Sequence, residues 1–150
     1  MLQKIFIGFG IVFILVGIAG VAYVWNYDHR QVATLEEYAT IDFQVSRDGK
    51  GALEGGVLSL WTYRYDKSKI LPQVTFYVDD AELELPAAVK QTTMQFKHEN
   101  KLFVNFPKES LKDLQSAKEV RFKFSYEDGQ EINLPLSQME LINWKKKLRW

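Results

Sequence analysis

The 150-residue chain carries 19 basic and 19 acidic side chains, no cysteine and 47% hydrophobic residues. That balance excludes the strong basic excess of a dedicated nucleic-acid binder, and the missing thiols exclude disulfides, thiolate metal sites and cysteine nucleophiles. At this length one compact domain plus a targeting segment is the expectation.

Residues 1–4 form a short tail, and residues 5–25 follow without a single charge in 21 positions. At about 1.5 Å per residue that run spans roughly 31 Å as a helix, close to the hydrocarbon thickness of a bilayer. Tyr23, Trp25 and Tyr27 stand at its C-terminal end, where an interfacial aromatic belt belongs. The segment therefore reads as one transmembrane helix, with the lipid bilayer as a partner. Lys4 and the α-amino group favour a cytoplasmic N-terminus, which places the C-terminal domain outside the cytoplasm at the cell membrane. A cleaved signal peptide is the alternative, since Gly20-Val21-Ala22 offers small residues near a cleavage point. The apolar run exceeds the usual h-region of about 7–15 residues, which favours an uncleaved signal anchor. Small residues recur along the helix, and Gly17 and Gly20 are its candidates for close helix packing.

Residues 26–37 read as a juxtamembrane tether, with Thr34 and Glu37 spaced as a capping box. From residue 38 onward the pattern is mostly β. Ile41, Phe43 and Val45 alternate with polar residues before the breaker at 47–51. Residues 57–65 form a second strand with Val57, Trp61, Tyr63 and Tyr65 on one face. Val74, Phe76 and Val78 mark a third, ending at Asp79-Asp80, and residues 82–85 a short fourth that stops at Pro86.

Two hairpins follow. In the first, Met94 and Phe96 are expected to face Leu102 and Val104 across a His98-Glu99-Asn100 loop. In the second, a three-residue loop Glu127-Asp128-Gly129 pairs Phe124 with Ile132 and Phe122 with Leu134, with Gly129 in the left-handed position. Each hairpin precedes a helical pattern, residues 108–117 and 138–147, the latter opened by Ser137 and Glu140. At an offset of 28 residues the two units align as a candidate duplication. The fold class is thus one N-terminal transmembrane helix followed by an extracytoplasmic domain, residues 38–150. That domain is mostly antiparallel β, sandwich-like or α+β, with about eight strands and one or two short helices.

Catalytic signals are weak. His29 lies in the tether and His98 in an expected turn, so both read as solvent-exposed, without a ligand or triad partner nearby in sequence. Asp79, Asp80, Glu82 and Glu84 match no calcium loop, and no glycine-rich phosphate loop is present. No enzyme, cofactor, metal or small-molecule substrate is expected. The tail Trp144-Lys145-Lys146-Lys147-Leu148-Arg149-Trp150 interleaves four cations with tryptophans. It suits an anionic lipid surface or acidic partner, or else the lysines cap a helix C-terminus while Trp144 packs on the sheet. The candidate interaction surface is therefore Trp61, Tyr63 and Tyr65, with Trp144, Lys145, Lys146, Lys147, Arg149 and Trp150. The expected function is a membrane-anchored, non-enzymatic binding or adaptor domain recognising another protein through its aromatic face or sheet edges. A single-pass accessory subunit of a larger membrane complex, or a secreted β-rich protein cleaved near Ala22, are the alternatives.

Overall fold

A computed structural model describes residues 1–149, which fall into two compact units divided after Gln31. In the first, α1 (Leu2–Asp28) is one unbroken helix of 27 residues, long and apolar enough to cross a membrane. It continues three residues beyond the expected span, so the aromatic residues Tyr23, Trp25 and Tyr27 are all helical. His29 ends the helix, stacking on Trp25 with ring centroids 4.6 Å apart.

The second unit begins with α2 (Leu35–Tyr38), a single turn behind Thr34. Glu37 accepts from the backbone N–H groups of Ala33 and Thr34, as the capping-box spacing predicts. Seven antiparallel strands follow: β1 (Thr40–Arg47), β2 (Leu53–Arg64), β3 (Ile70–Val78), β4 (Ala81–Met94), β5 (Lys97–Pro107), β6 (Val120–Tyr126) and β7 (Glu131–Pro135). They form one curled sheet in the order β1-β2-β5-β4-β3-β6-β7. Helices α3 (Lys108–Ser116) and α4 (Gln138–Lys147) occupy the positions their periodicity predicts. α3 packs on β2 and β5, and α4 packs on β1 and α3.

The sheet has seven strands rather than eight because Pro86 does not end a strand. The first half of β4, through Pro86, pairs with β3, and the second half, from Ala87, pairs with β5. Pro86 sits where the ladder passes from one neighbour to the other, so its missing N–H interrupts no continuous ladder. Sharing β4 between two half-sheets gives the sheet its curl. Inward-facing Phe76, Phe106, Phe122 and Phe124 meet within it, Phe76 lying 4.5 Å from Phe122 and 4.6 Å from Phe106.

The β6–β7 hairpin has the register its alternation requires. Phe124 stands opposite Ile132 and Phe122 opposite Leu134, and Gly129 has φ +92°. The β4–β5 hairpin differs from expectation. Its loop is the two residues Gln95-Phe96, with Met94 opposite Lys97 and Thr93 opposite His98. The register follows the deeper pairs Val89–Leu102 and Ala87–Val104, whose burial outweighs that of two apolar residues at the tip. Met94 and Phe96 are therefore solvent-exposed, whereas Phe122 and Phe124 are core, and the alignment of the two hairpins has no structural counterpart there. Only the strand–proline–helix passages at Pro107 and Pro135 correspond. His98 and Asn100 lie in β5 and are buried, not in an exposed turn.

Candidate interaction surface

Residues of β2 alternate between the two faces of the sheet. Leu58, Leu60, Thr62 and Arg64 point inward, which turns Val57, Trp61 and Tyr63 outward. Register then decides their neighbours. Trp61 stands opposite Lys101 of β5, which stands opposite Lys90 of β4; Tyr63 is opposite Glu99, and Ser59 opposite Phe103. The outer face thus presents Val57, Trp61, Tyr63 and Phe103 in adjoining rows, bordered by Lys90 and Lys101. Glu99 holds Lys101 at 3.3 Å. Tyr65 continues the aromatic row just past β2, and the ammonium of Lys97 lies 5.6 Å from its ring centre. Tyr63, Tyr65, Met94, Gln95, Phe96 and Lys97 line an open hollow of about 690 Å³ at the hairpin tip. The structure thus keeps Trp61, Tyr63 and Tyr65 together on the outer face, each half-buried, and adds the exposed Phe103, Met94 and Phe96, which alternation alone assigned to no surface.

The C-terminal candidates divide. Trp144 is 1% exposed and stacks on Phe43 at 4.3 Å, so it belongs to the core and is withdrawn from the interaction surface. Its indole N–H donates to Glu140 one turn earlier. Lys147 donates to the carbonyl of Phe43 at 2.6 Å, and Arg47 donates to the carbonyls of Lys147 and Arg149. Lys145, Lys146 and Lys147 occupy the last turn of α4, where positive charge complements the helix dipole. Trp150 lies outside the described residues. In α1, Gly17 lines a shallow groove with Ile14, Ile18, Val21, Ala22 and Trp25, while Gly20 does not; neither has an atom within 4 Å of its missing Cβ.

A buried polar cluster escaped the sequence reading. Arg64 is fully buried; its guanidinium reaches Asp66, Asp128 and Gln130. Tyr126, under that guanidinium, meets the hydroxyl of Tyr38 at 2.9 Å. Thr62 and Asn100 stand opposite each other beside them, as do Arg64 and His98, and His98 Nδ1 lies 3.2 Å from the Thr93 hydroxyl. All four occupy inward positions of β2 and β5, which become legible only once the two strands are paired. Burial opposes the charge on Arg64, but Asp66 and Asp128 outweigh it and hold the group above its ordinary value. Burial likewise pushes the Tyr126 phenol far up, with Tyr38 adding in the same direction.

At the far end of the fold, Asp79 (φ +52°) accepts from the backbone N–H groups of Lys118 and Glu119, which lowers its pKa. It is a turn residue in the sense its Asp-Asp composition predicts. Asp48 is lowered in the same way by the N–H groups of Ala52 and Lys50. Hydrogen bonding to Tyr77 raises Lys123. Among the described residues, no group of three or more His, Asp or Glu side chains is arranged to hold a metal ion.

In comparisons with known proteins, no family model matches the chain, and no curated protein and no solved structure matches it.

Proposed function

We propose that the chain is a membrane-anchored, non-enzymatic binding domain that recognises another protein through the outer face of β2, β5 and β4. In this reading α1 is an uncleaved signal anchor with its N-terminus in the cytoplasm, and the β domain faces the extracytoplasmic side. The observation that carries it is the outward-facing row in which Val57 and Phe103 are exposed and Trp61 and Tyr63 half-buried, bordered by Lys90 and Lys101. Aromatic residues concentrate binding energy at protein interfaces, and a rigid sheet face presents them at low entropic cost.

The test is a mild-detergent pull-down with full-length protein, a version lacking residues 1–25, and the double variant Trp61→Ala/Tyr63→Ala. The reading expects both lengths to retain the same partner and the double variant to lose it with its thermal midpoint nearly unchanged. Retention by the full-length form alone would transfer recognition to α1. That outcome would favour a second reading, an accessory subunit docked by its helix through small residues such as Gly17. There, Gly17→Leu would abolish assembly, and the Trp61/Tyr63 variant would not.

A further inference from the structure

We propose that the β4–β5 hairpin tip is a second, interfacial membrane contact, seated in the headgroup layer of the bilayer that α1 spans. The inference rests on the anchor reading above and adds where the domain itself touches lipid. Phe96 is 84% exposed and Met94 48%, side by side at the tip. The other turns between strands present Asp48-Gly49-Lys50, Asp66-Lys67-Ser68-Lys69, Asp79-Asp80 and Glu127-Asp128-Gly129. Placing apolar side chains at a single turn, on a backbone where the non-glycine residue Gln95 takes φ +26°, costs solubility and local strain without serving the core.

The chemistry around the tip is that of an interface. Tyr63 and Tyr65 back it with rings that carry a polar end, and Lys97 supplies a flexible cation whose stem can lie along apolar surface. Phe96 and Met94 then reach the acyl boundary while Lys97 and the Tyr65 hydroxyl remain among headgroups.

Placement agrees. Thr40, the first residue of β1, stands opposite Trp61, which stands opposite Lys101; β5 begins four residues before Lys101, at Lys97, and the tip lies just beyond that end. The tip therefore projects from the end of this half-sheet at which the chain enters from the tether. Only residues 29–34 separate α1 from α2, and extended chain over that interval reaches at most about 25 Å. A tether this short raises the effective concentration of lipid at the domain, so that even a modest apolar tip can bind it.

The absence of cysteine allows single labels in the full-length protein, reconstituted into phosphatidylcholine vesicles containing a minority of phosphatidylglycerol. An environment-sensitive fluorophore is placed at Gln95→Cys, which leaves Met94 and Phe96 intact. Gly49→Cys in the β1–β2 turn and Ile14→Cys in α1 serve as references. The proposal expects blue-shifted emission at Gln95→Cys, quenching by lipid nitroxides placed near the headgroup, and loss of both when Phe96→Asp is added. A Gln95 label no more quenched than the Gly49 label, with Ile14 quenched by deep nitroxides, overturns the tip contact and leaves the anchor standing. Escape of the Ile14 label as well would overturn the anchor reading and the tip contact together.

Discussion

The guanidinium of Arg64 lies 4.1 Å from the centre of the Tyr126 ring, in the buried interior of the curled sheet. Its two carboxylate partners are different in kind: the Asp66 side chain is 41% exposed and that of Asp128 35%. The charge is therefore compensated from the rim, while the stem and the plane of the guanidinium serve as packing.

Arg64→Ala is expected to destabilise the domain by about 3 kcal/mol. The packing on Tyr126 is lost, whereas Asp66 and Asp128 rehydrate instead of being stranded inside, which keeps the cost at the lower end for a broken buried pair. Arg64→Met restores much of the volume and is expected to cost less than half as much. Urea unfolding of the full-length protein in mild detergent measures both. An equal loss in the two variants would show that charge, not packing, dominates.

Trp144 locks α4 onto β1 by stacking on Phe43 and meeting Phe106 edge-on at 6.4 Å. Trp144→Ala is expected to cost about 4 kcal/mol, in the range for deleting a large buried aromatic side chain, and to remove the near-ultraviolet dichroism of the stack. Lys146→Ala, on an exposed position of the same helix, should change stability by less than about 0.5 kcal/mol. A binding tryptophan at the surface would give the opposite result, with stability preserved.

Stability should decline at both ends of the pH scale, through different residues. Asp48 and Asp79 have lowered pKa values in the fold, so their contribution is complete above the unfolded value of about 3.9 and is lost as pH falls through the lower folded value. Tyr126 is raised, so the folded state holds its proton more tightly; that contribution is complete below about pH 10 and is lost as pH climbs beyond it. Thermal midpoints across the range test this. Asp79→Asn should flatten part of the acid arm, and Tyr126→Phe part of the alkaline arm. A variant that shifts every midpoint equally would deny the linkage.

Legibility in the sequence followed the strength of local pattern. Twenty-one uncharged positions leave no alternative period, so α1 was readable almost to its ends. The Glu127-Asp128-Gly129 loop was readable because glycine is required where φ is +92° and because only one register brings Phe122 and Phe124 against Leu134 and Ile132. The β4–β5 hairpin gave the opposite lesson. Met94 and Phe96 looked like inward residues, yet the register was set several residues away by Val89 and Ala87, and a left-handed Gln95 closed a turn that carries no glycine signal.

The candidate surface divides in the same way. Alternation placed Trp61 and Tyr63 on one face of β2, but Phe103, Lys90 and Lys101 joined them only through pairing across two neighbouring strands. Burial of Trp144 was one of two readings of the tail, decided by the stack on Phe43, about a hundred residues away in sequence.

The sequence by itself determined the apolar helix, the antiparallel β character, the two short helices and the inward phase of β1, β3, β6 and β7. These depend on side-chain period and local backbone preference, which act within a few residues. Tertiary structure alone decided that β4 passes through Pro86, that Arg64, His98 and Asn100 are interior, and that Met94 and Phe96 are exposed. Those outcomes depend on which strand lies alongside which. That choice is made by burying the apolar face of the whole sheet at once, and no single segment contains it.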